Sequence, residues 1–290
     1  MFRFLSKEDI DKTVDPLELI FVIKDLYIKK PLISERTSLE FRDIWIGLMP
    51  GIDPETGFVL KIIGIYPRAD PRVRGHVIIS DLENGGIKAI LDASAATGWR
   101  TATTSALATK LLMDCGLEKR CDIDVLGLIG AGFQGEYHLN VFRRLFNVKK
   151  IIVYDVDKSR LERFVNKMNV ETSDHKDLLK RSDVIIVATN STKPVVSGDL
   201  LKKDSIIISI GAPRPVNEID DETRRRAGCA LVDTLYGAIN ETDDVKGLGL
   251  VELGEYLSGK RCLFKELRLY KSVGTVVQDI AFARYILRKI

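Results

Sequence analysis

The stretch DVLGLIGAGFQGEYHLNVF, residues 124–142, decides the fold of this 290-residue chain. A run of apolar residues leads into glycines 130, 132 and 135, and a helical pattern of apolar residues follows. A strand, a glycine-rich turn and a helix in this order are the signature of a turn that holds a dinucleotide. The first glycine permits a tight turn, the second lets the backbone approach a pyrophosphate, and the third lets the helix pack against the strand.

The residues after this turn predict a parallel sheet. Four apolar segments, KIIVYD, DVIIVAT, SIIISIGA and CALVD, alternate with polar segments of helical spacing. Strands that are apolar on both faces are typical of a parallel sheet covered by helices. We therefore predict a doubly wound, Rossmann-type α/β domain in this part of the chain.

The residues before the turn have a different pattern. Up to about residue 95, short strands of alternating polarity are separated by turn residues such as Pro54, Gly57 and the segment 84–86. This pattern predicts a mixed, largely antiparallel sheet, preceded by a helix near residues 15–29. The last segment, VGTVVQDIAFARYILRKI, has the spacing of an amphipathic helix. The front part is therefore predicted to be a separate α+β domain.

The strand after the glycine turn ends at Asp155, near the separation of about 20 residues at which an acid accepts the ribose hydroxyls of NAD. A carboxylate at this position repels a 2′-phosphate, so we expect NAD. Lys158 and Arg160 follow closely and keep NADP as the alternative cofactor.

Three cations of the front part are candidates for binding a carboxylate. Lys61 lies on a strand whose neighbours are apolar, Arg36 precedes a strand, and Arg100 begins a helix. A lysine among apolar neighbours needs a partner such as a ligand carboxylate, and a guanidinium can bind one with two hydrogen bonds. Each of them, taken alone, is also explained as a solvated surface cation.

Several motifs together resemble the ornithine cyclodeaminase/μ-crystallin family. They are TGWRTATTSALATKLL followed by LGLIGAGFQGEYHL, and also VLKIIGIYP, GAPRPVNEIDDET and LYKSVGTVVQD, in the family's order along nearly the whole chain. The resemblance implies a Rossmann domain, residues 119–271, inserted in a mixed α+β substrate-binding and dimerisation domain, residues 1–118 plus 272–290. It also implies a homodimer, and NAD(P)-dependent hydride transfer at Cα of a small amino acid or cyclic imino acid, as in alanine dehydrogenases and ketimine reductases.

The resemblance also assigns site residues. It places Arg36, Lys61 and Arg100 at the reacting centre as catalytic residues that also hold the substrate carboxylate, with Met49 beside them. Asp279 matches an aspartate that follows the family's late motif. The implied cofactor contacts are Thr101, Gly130, Ala131, Gly132, Phe133, Gln134, Asp155, Thr189, Ser272 and Val273.

Two positions depart from the cyclodeaminases of the family. Those enzymes have an Asp where this chain has Pro213, and a Glu where it has Gly47. Proline cannot exchange a proton, so ornithine cyclisation is disfavoured unless Glu218 or Asp220 substitutes for the missing acid. A second alternative is a crystallin-like protein that binds NAD(P) and a small molecule without efficient catalysis.

Composition sets the remaining expectations. The 44 basic and 41 acidic residues are spread along the chain, which does not favour a nucleic-acid or membrane partner. Apolar runs are too short to span a bilayer, and the N-terminal residues lack a secretory signal, so a cytoplasmic location is expected. The four cysteines and three histidines show no metal-binding spacing, and we expect reduced thiols and no metal.

Overall fold

The computed structural model of the protein describes residues 3–69 and 73–290. The chain divides into two compact units, one comprising Met1–Thr104 and Thr275–Ile290, the other Ser105–Gly274. The domain boundaries expected from the sequence, after residues 118 and 271, remain a prediction.

The described residues of the first unit form seven strands, three whole helices and the first part of a fourth helix. The strands are β1 (Arg3–Leu5), β2 (Leu32–Ile33), β3 (Thr37–Phe41), β4 (Ile44–Asp53), β5 (Gly57–Ile65), β6 (Val73–Ser80) and β7 (Ile87–Asp92). The helices are α1 (Lys7–Thr13), α2 (Pro16–Lys29), α10 (Val276–Leu287) and α3 (Ala93–Leu112), the last of which continues into the second unit.

The sheet of the first unit has the order β1-β7-β6-β5-β4-β2, and β3 also pairs with β4. All pairs are antiparallel except β1 with β7, as the alternating sequence pattern predicts. The predicted first helix is α2, whose N-cap Asp15 accepts a hydrogen bond from the Leu17 amide before Pro16 starts the helix. Helix α10 packs on α2, β4 and β5, and its residues 276–286 are all buried.

The second unit contains eight strands and six helices of its own. The strands are β8 (Cys121–Ile129), β9 (Phe146–Tyr154), β10 (Glu171–Thr172), β11 (Val184–Val187), β12 (Ile206–Ser209), β13 (Cys229–Val232), β14 (Gly249–Glu252) and β15 (Arg268–Lys271). The helices are α4 (Phe133–Leu145), α5 (Lys158–Met168), α6 (His175–Arg181), α7 (Asp221–Ala227), α8 (Leu235–Asn240) and α9 (Leu253–Leu257).

The sheet of the second unit is parallel throughout, in the order β10-β9-β8-β11-β12-β15-β13-β14. Strands β9 and β10 are added on one side of β8, and the later strands, beginning with β11, on its other side. The point between β8 and β11 is therefore the switch point of a doubly wound fold. Strands β11, β12 and β13 are buried at every position, as strands covered on both faces must be. The predicted fold class, a Rossmann-type α/β sheet together with a mixed α+β domain, is confirmed.

The expectation of reduced thiols is wrong. Cys115 is bonded to Cys121, and Cys229 to Cys262, with Cα atoms 6.3 and 5.8 Å apart. Both separations lie within the range that a disulfide can bridge. The second bond joins β13 to the loop after α9, across 33 residues of chain. Sequence spacing could not reveal it, because the two cysteines are neighbours only after the parallel sheet has formed.

Among the described residues, no helix is long and apolar enough to cross a membrane. The same residues contain no group of three or more His, Cys, Asp or Glu side chains that could hold a metal ion.

We expect the two disulfides to stabilise the fold unequally. A cross-link that closes a loop of 33 residues should raise the free energy of unfolding by about 3.5 kcal/mol, and one that closes 6 residues by about 2 kcal/mol. Chemical denaturation of the variants Cys229→Ser/Cys262→Ser and Cys115→Ser/Cys121→Ser measures both losses. Dithiothreitol should lower the stability of wild type but not that of the variant lacking all four cysteines. Equal losses in the two pairs would contradict the loop-length argument.

Candidate active site

Lys61 is the centre of a buried polar cluster in the first unit. It lies on β5, opposite Met49 of β4 and Val77 of β6, and only 1% of its surface is exposed. Cross-strand partners share a face of the sheet, so Lys61 and Met49 project to the same side. The residues of β5 on the same face as Lys61, Val59 and Ile63, are apolar and buried in the core. The sequence therefore directs a cation into an apolar layer.

Asp279, from the last helix, is the counter-ion of Lys61. The Lys61 ammonium donates a hydrogen bond of 2.9 Å to Asp279 Oδ1, and Arg100 Nε lies 3.4 Å from the same oxygen. The position of Asp279 follows from the start of α10, where the Thr275 side chain caps the helix by accepting from the Val277 amide. The other oxygen, Asp279 Oδ2, is buried without a hydrogen-bond partner among the described residues. It is an acceptor that a ligand can use.

Arg100 is held by neighbours on two other helices. Its Nη1 donates to Gln278 Oε1, and Gln278 Nε2 donates 2.9 Å to the Tyr27 hydroxyl. The guanidinium is buried, and its Nε has no hydrogen-bond partner among the described residues. Arg36 is half-buried, and its positive charge reaches Lys61. The structure thus brings together Lys61, Arg100, Arg36 and Met49, which the resemblance assigned to one site.

These surroundings lower the pKa of Lys61 to about 7. Burial is the main cause, since it penalises the charged ammonium, and the positive charges of Arg100 and Arg36 act in the same direction. The charge and the hydrogen bond of Asp279 oppose both and keep the pKa from falling further. A lysine balanced in this way exchanges a proton near neutral pH.

The glycine turn of the second unit fits a dinucleotide. Gly130 has φ +104°, and a Cβ there would lie 2.3 Å from the Ala188 carbonyl oxygen. A Cβ on Gly135 would lie 2.5 Å from the Gly130 carbonyl oxygen, so this glycine permits the close approach of helix and strand. A Cβ on Gly132 would meet nothing within 4 Å, which leaves open space beside the turn. No side chain caps α4, so its first amides remain suited to an anion.

Two neighbours of the turn add to this fit. Gln134 Oε1 is buried and has no hydrogen-bond partner within the described part of the chain. Phe133, the first residue of α4, is 38% exposed and its ring lies 4.8 Å from that of Tyr137. Ala131 is buried between them and the preceding glycine. Residues 130–134 therefore lie together in the turn and the first residues of α4.

Asp155 does more than the sequence predicts. It directly follows β9, and its Oδ2 accepts a hydrogen bond of 2.8 Å from the Ala131 amide. Its Oδ1 accepts from the Asp157 amide, also at 2.8 Å, and Arg160 Nη1 lies 3.5 Å from Oδ2. The carboxylate therefore holds the glycine turn in shape and already has a cation beside it.

A second buried network, which the sequence did not predict, supports the loops of the remaining cofactor candidates. Lys271 forms an ion pair of 2.6 Å with Asp244 and donates to Ser209 Oγ. Glu218 accepts from the Thr189 amide and hydroxyl, the Ser209 hydroxyl and the Gly211 amide. With four donors, Glu218 is engaged in holding these loops and is not placed to replace a missing catalytic acid.

The segment after β15 is held by Asp233. Its carboxylate accepts from the Ser272 hydroxyl at 2.7 Å and from the amides of Val273 and Gly274. Thr101, the remaining predicted cofactor contact, is buried on α3 in the first unit. Asp233 directly follows an apolar strand, as Asp155 does. Ligands of such sheets bind at the carboxyl ends of the strands, so this position in the sequence could have indicated that Asp233 lies near a ligand site.

The fold and the glycine turn define a protein of the Rossmann dinucleotide-binding type with a second, mixed α+β unit. The family model "Ornithine cyclodeaminase/mu-crystallin family" matches residues 10–290. The chain belongs to this family, as the resemblance predicted.

Individual relatives agree with this assignment. Ketimine reductase mu-crystallin from Mus musculus is 31% identical over 255 residues, which cover 83% of this chain and 79% of that protein. An alanine dehydrogenase from Archaeoglobus fulgidus is 25% identical over 310 residues, which cover 97% of this chain and 93% of that protein. The solved structure of Thermococcus litoralis Delta(1)-pyrroline-2-carboxylate reductase in complex with NADH and L-proline is 27% identical, covers 100% of this chain and 97% of its own, and superposes with a TM-score of 0.87. The predicted class of enzyme, an oxidoreductase, is confirmed.

Proposed function

We propose that this protein is an NAD-dependent reductase of a small or cyclic α-imino acid, which it converts to the L-amino acid. The observation that carries the proposal is Lys61, a buried lysine whose pKa is lowered to about 7 between Arg100 and Asp279. An imine nitrogen must gain a proton when it becomes an amine, and a group that titrates near pH 7 is suited to supply it. The relatives named ketimine reductase, pyrroline-2-carboxylate reductase and alanine dehydrogenase support this reaction class.

The residues divide the work. Arg100 and Arg36 would bind the substrate carboxylate, because a guanidinium matches its two oxygens. Lys61 would donate its proton to the imine nitrogen, and in the reverse direction would accept one from the amine. Asp279 Oδ1 holds the Lys61 ammonium in place, and its unpartnered Oδ2 would accept a hydrogen bond from the substrate N–H.

The cofactor would be bound by residues 130–134 and Asp155 of the second unit. When bound, the nicotinamide supplies a hydride to Cα or accepts one from it. We propose NAD because Asp155 places a carboxylate beside the turn, where it repels a 2′-phosphate. Arg160, half-exposed and close to Asp155, is the feature that would admit NADP.

Two alternatives remain distinct from this proposal. An ornithine cyclodeaminase would need an acid in place of Pro213, and both substitutes considered from the sequence are engaged. Glu218 has four donors, and Asp220 caps α7 by accepting from the Thr223 amide. A binding protein without catalysis would have no use for a lysine with its pKa at neutrality.

We also propose a homodimer that forms through the open face of the first sheet. Opposite the side of Lys61, half-exposed apolar side chains lie on four neighbouring strands. Leu48 pairs with Ile62, and Leu60 pairs with Ile78, which pairs with Ile90. A contiguous apolar surface of this kind is typical of an interface. A second copy can supply the matching face, because a twofold interface pairs identical surfaces.

A cytoplasmic location is part of the proposal. Disulfides are rare in the cytosol of mesophiles but common in intracellular proteins of hyperthermophiles. A cytoplasmic location of a chain with two disulfides therefore implies that the source organism is a hyperthermophile. Alkylation of thiols in intact source cells, followed by fractionation, should recover the chain in the cytosolic fraction with its four cysteines unmodified.

A substrate screen tests the function. NADH oxidation is measured with Δ1-pyrroline-2-carboxylate, with Δ1-piperideine-2-carboxylate, and with pyruvate plus ammonia. NADPH is compared in parallel. We expect turnover with at least one imino acid and a larger kcat/KM with NADH than with NADPH. Ammonia release from L-ornithine without net cofactor reduction would indicate the cyclodeaminase. Cofactor binding with no turnover on any substrate would indicate the binding protein.

The pH dependence tests the role of Lys61. The ammonium is the proton donor, so kcat/KM for imine reduction should fall as pH rises through about 7, and kcat/KM for amino-acid oxidation should rise over the same range. Asp279→Asn removes the charge that raises the pKa of Lys61, so both transitions should move to lower pH. The pKa of a free substrate would not move with this variant.

Removal of the amine gives the complementary result. Lys61→Met should lower kcat by about 10²- to 10⁴-fold, the usual size of acid–base catalysis, while cofactor binding is retained. Lys88→Met is the matched control, because Lys88 lies on the same sheet but pairs with Asp81 at the surface. Activity of Lys61→Met close to that of wild type would exclude the proposed proton transfer.

The dimer is tested by a charge on the open face. Wild type should have twice the chain mass of 32.5 kDa in light scattering, and Ile78→Asp should shift it toward the monomer. Leu82→Asp, at an exposed residue in the turn after β6, is the control and should leave the mass unchanged. A monomeric wild type would refute this interface.

A further inference from the structure

Strand β4 presents three residues to the side of the sheet on which Lys61 lies. Alternate residues of a strand share a face, so Trp45 and Gly47 project to the same side as Met49, the cross-strand partner of Lys61. Met49 is almost fully buried beside the lysine. Gly47 lies two residues away, about 7 Å along the strand.

The indole of Trp45 lies over Gly47. A Cβ built on Gly47 would be 2.5 Å from Trp45 Cη2 and 3.1 Å from both Cζ2 and Cζ3. The six-membered ring is therefore folded along β4 toward Met49 and occupies the space that any other residue at position 47 would fill. The absence of a side chain at Gly47 is what allows the ring to lie there.

From this geometry we propose that Trp45 forms the apolar wall of the substrate side-chain site, and that it restricts the enzyme to imino acids whose side chain or ring carries no charge. The inference rests on the proposed function, since it assigns the part of the substrate that Arg100, Arg36 and Lys61 do not bind. Trp45 and Met49 together offer an aromatic face and a thioether, to which a saturated ring of three or four carbons is suited.

The charges around the site also favour a substrate whose side chain carries no charge. Lys61, Arg100 and Arg36 are three cations, and Asp279 is the carboxylate that pairs with two of them. A second ammonium, as in ornithine or lysine, would be repelled by the cations and would find no carboxylate on Trp45, Gly47 or Met49. Glu40 of β3 is the cross-strand partner of Trp45, but its side chain is exposed. Its partner Trp45 is four residues away from Met49 on β4. A solvated carboxylate contributes little to the binding of an ammonium.

Steady-state kinetics test the wall. Trp45→Ala should raise KM for a cyclic imino acid at least about 10-fold and change kcat by less than about threefold, because it removes binding surface and no proton-transfer group. Trp45→Phe should recover most of the affinity. Glu40→Gln is the control and should leave both constants unchanged. Circular dichroism and thermal melting verify that each variant is folded.

Gly47→Ala provides an independent arm of the test. The added methyl group displaces the indole, so this variant should raise KM as Trp45→Ala does. The two changes should not add, since Gly47→Ala has no ring to displace once Trp45 is alanine. If Trp45→Ala and Gly47→Ala both leave KM within twofold of wild type, or if L-ornithine inhibits imine reduction as strongly as L-proline, the proposal is overturned.

A binding experiment separates this inference from the proposed function. The chain has two tryptophans, so Trp99→Phe leaves Trp45 as the single indole reporter. Titration with L-proline, with and without NAD, should change the emission of this variant, whereas the double variant Trp45→Phe/Trp99→Phe should show no such change. A response of Trp45 without any turnover would support the side-chain site and reject the reductase. Turnover without any response of Trp45 would support the reductase and reject the side-chain site.

Discussion

The structure of the first unit depends on the buried ion pair between Lys61 and Asp279. The partners lie 218 residues apart in sequence, and neither side chain is more than 1% exposed. A buried charge without its partner is strongly destabilising, so the last helix must return to the first sheet and place its carboxylate beside β5. Residues Ser105–Gly274, which include the whole parallel sheet, are therefore inserted within this unit. The late position of the glycine turn in the sequence follows from the same constraint.

The positive charges around this ion pair outnumber the negative ones, and this excess of positive charge determines which ligands and which proton transfer the cluster favours. One carboxylate, that of Asp279, faces both Lys61 and Arg100, so these three side chains carry a net positive charge in a buried layer. The cluster therefore favours an anionic ligand and weakens the hold of Lys61 on its proton. Arg100 cannot release a proton instead, since a guanidinium stays charged in proteins. In the proposed mechanism, Arg100 therefore binds the substrate carboxylate and Lys61 transfers the proton.

Local patterns predict the features that depend on neighbours in sequence. The glycine turn, the parallel strands and the isolated Lys61 were predictable because each is defined within about ten residues. The Cys229–Cys262 disulfide, the donors around Glu218 and the second role of Asp155 were not, since each needs contacts between distant segments. The contact between Asp155 and the Ala131 amide spans 24 residues and exists only when β8 and β9 are aligned. Polar residues directly after apolar strands, such as Asp155 and Asp233, are the intermediate case, because their position indicates a site but not a partner.

Strand β4 shows how one stretch of sequence can carry two functions. Its odd-numbered residues Trp45, Gly47 and Met49 face the side of Lys61, whereas its even-numbered residues, among them Leu48, belong to the open apolar face. The period of a strand is two, so a shift of one residue in the pairing of β4 with β5 would exchange the two sets. It would place Leu48 beside the ion pair and Trp45 on the open face. The register of β4 therefore determines which residues face Lys61, where we propose that the substrate binds, and which residues form the open face, where we propose that a second copy of the chain binds.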